Sequence, residues 1–198
     1  MSLNLVLAST SAARNRLLKN AGVSFHTIAS GVDEAPIKRE GKLGDRGPRE
    51  VAETLAAKKA LNVSRAHPHA IVIGSDQLLV CKDEWFDRPP SLVAARKQLE
   101  RLSGRVHQLV NATVIIKNGA AIWNYQNTIN VEMRELSSDL IEKYLAKEGE
   151  AVCESVGAYK LEGCGAQLLA QVDGDFFSIL GLPLLPLLGF LREQNILR

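Results

Sequence analysis

The sequence predicts an α/β fold, a mixed β-sheet flanked by helices and arranged in two lobes. Three observations carry that prediction. Residues 5–7 (Leu-Val-Leu) and 70–73 (Ala-Ile-Val-Ile) are short apolar runs of the kind that form strands buried on both faces. Amphipathic helical stretches separate and follow them. Residues 107–131 then alternate around Lys117-Asn118-Gly119, and Asn-Gly between alternating runs is a strong hairpin signal. Buried parallel-type strands early and a hairpin late call for one sheet of mixed direction, and a cleft between lobes is the natural place for a ligand.

Taking the chain in order, the strand at residues 5–7 feeds directly into a helix. Ser9, Thr10 and Ser11 break the apolar run, Ser11 is a good N-cap, and Leu17, Leu18 and Ala21 resume at helical spacing. First-turn amides, the hydroxyls of Ser9 and Ser11, and Arg14 one turn in would converge on one point, which suits a phosphate chain. An ordinary capped turn with a surface arginine reads equally well from this stretch alone. Asn20-Ala21-Gly22 ends the helix, and residues 23–29 read as a second strand. Residues 30–36 form a loop with adjacent carboxylates at Asp33 and Glu34. Residues 38–47, with three glycines and six charges, look like a mobile lid.

Pro48 suits the first position of a helix running to about residue 64, with Val51, Leu55, Ala56, Ala60 and Leu61 on its apolar face. The strand at 70–73 is closed by a Gly74-Ser75-Asp76-Gln77 turn, and another strand follows at 78–81. A helix spans 91–102, ended by Ser103-Gly104. Ser137 caps a further helix over 138–147 with Leu140, Ile141, Tyr144 and Leu145 inward. A strand at 166–172, a turn at 173–175 and a closing helix at 182–192 complete the chain.

Composition limits the function classes. There are 24 basic and 22 acidic residues, mixed along the chain, with a net charge of +2 and only 5% aromatic residues. That balance argues against a nucleic-acid partner. Cys81, Cys153 and Cys164 are odd in number and lack Cys-x-x-Cys spacing, so neither a zinc site nor a disulfide framework is expected. No basic region precedes the first strand, so no signal peptide is expected. The longest apolar run, residues 179–191, is shorter than the roughly 20 residues of a spanning helix. It also contains Pro183, Pro186 and Gly189, and reads as core. A soluble cytoplasmic protein with no membrane partner follows.

Asp76, at the end of a buried run, either caps a turn or orients a water or a divalent cation, with Asp33 or Glu34 as a second oxygen donor. Of Lys58 and Lys59 on an otherwise apolar helix, one should face inward or toward a cleft edge. Arg88 before Pro89-Pro90 stands in a stiff extended segment that fixes a guanidinium, or is a plain surface arginine. His107 reads as a hydrogen-bonded packing residue rather than a base.

Together these residues resemble the Maf family of nucleotide pyrophosphatases, nearly end to end. The family's opening block is similar to Leu7-Ala-Ser-Thr-Ser-Ala-Ala-Arg-Asn-Arg-Leu-Leu18, and its Val-Asp-Glu to Val32-Asp33-Glu34. Leu55-Ala-Ala-Lys-Lys59-Ala60 matches its helical lysine block and singles out Lys59; the strand-end aspartate is Asp76. Leu102-Ser-Gly-Arg-Val-His107, the glycine-rich 157–163 and 174–184 complete seven blocks in order.

The resemblance implies one domain over residues 1–198, elongated and inosine-triphosphatase-like, with two lobes around a central cleft. It implies metal-dependent hydrolysis of a nucleoside triphosphate to the monophosphate and pyrophosphate. Asp76 would be the proton acceptor. Ser9, Ser11, Arg14, Lys59 and Arg88 would hold the triphosphate, while Glu34 and Asp76 would hold Mg²⁺, Mn²⁺ or Co²⁺. The chain departs from the family at Arg88, where lysine is usual, at Ala12, where proline is usual, and at Asn15, where one branch commonly has a second arginine.

Ala13, Gln77 and Glu162 stand at the positions that separate the branches. Gln77 and Glu162 match the branch acting on 7-methylguanosine triphosphate, whose cationic base with N–H donors suits a facing carboxylate. Ala13 matches neither branch and offers no aromatic for stacking. The expected substrate is therefore the methylated guanine nucleotide, consistent with keeping modified nucleotides out of nucleic acid. The alternatives are thymidine and uridine triphosphates, or a non-catalytic nucleotide sensor of cell division. The sequence leaves the assembly open, with a homodimer among the options.

Overall fold

The computed structural model describes residues 4–197. In chain order it contains β1 (Leu5–Leu7), α1 (Ala12–Asn20), β2 (His26–Thr27), α2 (Glu34–Leu43), α3 (Pro48–Ala66), β3 (Ile71–Cys81), β4 (Glu84–Phe86) and α4 (Leu92–Leu102). There follow β5 (Val106–Lys117), β6 (Ala120–Met133), α5 (Ser138–Glu148), β7 (Leu169–Asp173), α6 (Phe176–Ile179) and α7 (Leu184–Glu193), with 3₁₀ turns at Gly149–Glu154 and Cys164–Leu168. The strand order is β2-β1-β3-β5-β6-β7, with β4 also paired to β3. β1 runs parallel to β2 and β3, whereas β4 is antiparallel to β3 and β7 to β6. This is the mixed sheet flanked by helices that the sequence predicts.

Local chemistry explains most boundaries. Ser11, Ser91 and Ser137 each accept a hydrogen bond from the backbone N–H three residues on, opening α1, α4 and α5. Asn118 and Gly119 both take positive φ, 51° and 77°, as a two-residue hairpin turn between β5 and β6 requires.

Some expectations are corrected. Most of residues 38–47 are not a loop, because α2 runs to Leu43 and only residues 44–47 lie outside regular structure. Asp33 caps it, the Glu34–Lys38 pair braces its first turn at 3.0 Å, and Ile37 and Gly41 are buried. Residues 74–77 are not a turn either: β3 passes through them without a break. The second strand shrinks to His26–Thr27, the strand expected from 166 begins at Leu169, and β4 and α6 lie where no strand or helix is expected.

The chain forms two compact units. Among the described residues, the first takes those up to Gln77, Asn111–Asn127 and those from Asp175 on. Its core joins Leu5, Leu7, Ile71 and Ile73 of the sheet to Leu17 and Leu18 of α1 and to Leu187, Phe190 and Leu191 of α7, so the long apolar run is core. Trp123 stacks on Phe190 with ring centroids 5.4 Å apart. Among the described residues no helix is long and apolar enough to cross a membrane.

The second unit takes Leu78–Val110 and Thr128–Gly174. Within it His107 is 1% exposed, and its Nε2 lies 2.8 Å from the Tyr159 hydroxyl. It is a packing residue, as the sequence predicts. Burial holds its pKa down at about 4, against a smaller opposing pull from the Arg105 backbone. A folded-state value below the unfolded one means that the unfolded chain takes up a proton that the folded chain refuses. Stability is therefore lost as pH falls from the unfolded value toward 4. Between pH 7 and pH 5 this single group should remove about 2 kcal/mol. Urea unfolding should show that decline in the wild type and a flatter profile in His107→Asn; parallel profiles would rule it out.

Candidate active site

The first strand-to-helix junction is built around two serines. Ser9 Oγ accepts from the Ser11 N–H at 3.2 Å, and Ser11 Oγ accepts from the Arg14 N–H at 3.4 Å. The turn therefore presents Arg14 from a fixed base. Arg14 is only 5% exposed. Its Nε donates to the Gly181 carbonyl at 2.7 Å, and its Nη1 lies 3.5 Å from Ser9 Oγ. Ala13, half-buried on the first turn of α1, is its neighbour in the chain.

Asp76 sits in the middle of β3 rather than at a strand end, and is 3% exposed. What places it is Gly74, two residues earlier on the same face. An ideal Cβ on Gly74 would lie 2.8 Å from the Ala60 N and closer still to the Ala56 carbonyl. The absence of a side chain lets the α3 backbone rest on the strand, and Lys59 reaches Asp76 from there. Lys59 Nζ lies 2.6 Å from Asp76 Oδ1 and 2.5 Å from Glu34 Oε1, from the first turn of α2. Lys59 is 7% exposed, whereas Lys58 is exposed, so of the two adjacent lysines Lys59 is the one that turns inward.

The two carboxylates on this lysine respond differently. Asp76 has its pKa raised, first by burial and then by the charge of Glu34, with Lys59 and Arg14 pulling the other way. Glu34 is also penalised by burial, but Lys59 and Lys38 together overcome this and bring it down to about 2. The difference is depth: Glu34 keeps contact with water and Asp76 does not. A carboxylate of raised pKa is chemically suited to accept a proton.

Asp76 Oδ2 is buried and has no hydrogen-bond partner among the described residues. That atom, with Glu34, forms a pair of hard oxygen donors of the kind Mg²⁺ shares with substrate phosphates. No cluster of three or more His, Cys, Asp or Glu suited to a metal occurs among the described residues. Asp33, weighed as an alternative oxygen donor, instead caps α2 by accepting from the Ala35 N–H at 3.1 Å.

The structure thus gathers Glu34, Lys59 and Asp76 into one contact set, with Ser9, Ser11 and Arg14 in another whose guanidinium acts on Asp76 through its charge. Gln77 points to the opposite face of the sheet. Its Nε2 lies 3.0 Å from Asn111 Oδ1, 3.0 Å from the Ser178 carbonyl and 3.1 Å from the Ile179 carbonyl. Arg88, in the extended segment between β4 and α4, and Glu162 are exposed residues of the second unit. Sequence reasoning missed the Gly181 carbonyl as the anchor of Arg14. Its signal is the block at residues 174–184, which contains Gly181. Lys38 was also missed, although its i,i+4 spacing from Glu34 was visible.

The Maf-like protein family model matches residues 4–194. The chain is 47% identical to a nucleoside triphosphate pyrophosphatase of Granulibacter bethesdensis, over 98% of this chain and 99% of that protein. It is 44% identical to a 7-methyl-GTP pyrophosphatase of Brucella abortus, over 98% of each. A 7-methyl-GTP pyrophosphatase of Rhizobium meliloti is 43% identical over 96% of this chain and 95% of its own length. With the match running the length of the fold and through every residue of the Asp76–Lys59–Glu34 contact, the chain belongs to the Maf-like proteins.

Proposed function

We propose that this chain hydrolyses a nucleoside triphosphate to the nucleoside monophosphate and pyrophosphate. The observation that carries the reading is Asp76, a buried carboxylate with one unpaired oxygen, fixed beside Lys59 and coupled to Arg14. In the reaction a water oxygen bonds to the α-phosphorus and the bond from that phosphorus to the bridging oxygen breaks, so pyrophosphate leaves. Asp76 takes the proton of the water. Lys59 and Arg14 face the charge that builds on the phosphoryl oxygens, and Arg14, already held by the Gly181 carbonyl before substrate arrives, needs little reorganisation. The hydroxyls and amides of the Ser9–Ser11 turn, at the start of α1, favour phosphate oxygens.

Glu34 and Asp76 would hold a divalent cation, which when bound neutralises polyphosphate charge. The roles of Arg88 as a further cation and of Glu162 at the base rest on the sequence resemblance alone. The names of the Brucella and Rhizobium relatives, with Gln77 and Glu162, support 7-methylguanosine triphosphate as substrate. Free cysteines at 81, 153 and 164 accord with a cytoplasmic setting.

The test is product analysis with 7-methylguanosine, thymidine and uridine triphosphates and Mg²⁺, Mn²⁺ or Co²⁺. Pyrophosphate with the monophosphate is expected, with the highest kcat/KM on the methylated nucleotide and complete loss in chelator. Orthophosphate as first product would overturn the reaction, and a pyrimidine preference would overturn the substrate. Binding without turnover under every metal would turn the reading to a sensor.

A further inference from the structure

Arg14 owes its direction to the Gly181 carbonyl, and that carbonyl is itself held by residues with no role assigned above. The Gly181 carbonyl that accepts from Arg14 Nε at 2.7 Å also accepts from Ser75 Oγ at 3.1 Å. Ser75 in turn lies 3.1 Å from Thr113 Oγ1. Both hydroxyls are fully buried, at 0% exposure. The direction of every hydrogen in this chain is forced. A carbonyl can only accept, so the proton between Ser75 and Gly181 belongs to Ser75. Its hydroxyl has then spent its single donor, and Thr113 must donate to it. Both lone-pair directions of the Gly181 oxygen are thus used, one by the sheet and one by the guanidinium.

Gly181 is held tightly in other ways. Its φ is +89°, and a Cβ there would come within 3.3 Å of Arg14 Nη2. The segment before it is fixed to the sheet by Gln77 Nε2 on the Ser178 and Ile179 carbonyls, and by Asn127 Nδ2 on Ser178 Oγ at 2.7 Å. A carbonyl held on three sides is a reference point, and Nε is the atom of a guanidinium that fixes its plane.

We propose that Ser75 and Thr113 are positioning residues: through the Gly181 carbonyl they set the plane of the Arg14 guanidinium so that it meets the polyphosphate of the substrate. This rests on the pyrophosphatase reading, and two probes keep the failures of the two apart. Thr113→Val removes the donor at nearly constant shape, whereas Thr113→Ser keeps the donor and loses the methyl group. A relay predicts that Thr113→Val raises KM for the nucleotide, and weakens binding of inorganic tripolyphosphate by calorimetry, about tenfold, as loss of one buried hydrogen bond would. Thr113→Ser should stay near wild type in both, although it loses more packing. Ser75→Ala, which removes the bond to Gly181 itself, should cost at least as much as Thr113→Val, and its effect should vanish in an Arg14→Lys background, which has no Nε. If activity follows thermal stability across the three variants, or if Ser75→Ala and Arg14→Lys are additive, the relay is overturned. Absence of turnover in the wild type would fail the pyrophosphatase reading alone, since the tripolyphosphate arm still decides the relay.

Discussion

At saturating metal, Asp76→Asn should lower kcat by about 10²- to 10⁴-fold, the worth of a general base, while KM for the nucleotide moves little. The amide keeps the shape and can still accept from Lys59, so thermal stability should hold and the loss should be chemical. The same geometry fixes the pH behaviour. Burial raises the pKa of Asp76, so the acid limb of kcat/KM should lie above the ordinary carboxylate range, with activity falling as Asp76 protonates. Glu34 pushes that pKa further up, so Glu34→Gln should carry the limb to lower pH, as read from pH–rate profiles at saturating metal. An Asp76→Asn enzyme with wild-type turnover would remove this residue from the chemistry, and an unmoved limb in Glu34→Gln would remove the coupling.

The largest loss of stability should come from Gly74→Ala. The added Cβ meets the α3 backbone at Ala56 and Ala60, and main chain cannot swing aside as a side chain can. Overpacking of this kind costs about 3 kcal/mol, which in a chain of this size lowers Tm by roughly 10 °C. Lys59 is the residue before Ala60, so a displaced helix also draws the ammonium away from Asp76, and activity measured well below Tm should fall with it. Calorimetry together with pyrophosphate release checks both parts. A melt within about 2 °C of wild type would show that α3 does not rest on this strand as described.

Much of the fold was legible because its signals are local. A serine cap needs only the residues of its own turn, which is why the starts of α1, α4 and α5 fell where the sequence placed them, and Asn118-Gly119 needs only itself. The misreadings came from tertiary contacts. Gly74-Ser-Asp-Gln has the composition of a turn, but α3 lying against Gly74 makes it strand. The glycines and charges of residues 38–47 look flexible, yet burial of Ile37 and Gly41 holds most of the segment helical. Within the site, the acid and its lysine could be named from their blocks in sequence. Their shared contact with Glu34 could not, because it depends on where α2 docks. The anchor of Arg14 was hidden for a different reason: it is a backbone carbonyl, and side-chain identity says nothing about which peptide group a guanidinium will find.

Lys59, clasped between two carboxylates, has a consequence for selectivity among ordinary anions. Its charge is already answered from within, so the resting protein offers little naked attraction to orthophosphate or sulfate. A ligand gains that ammonium only by loosening its hold on Glu34 and Asp76, and a polyphosphate travelling with its own divalent ion brings the positive charge those acids would then lack.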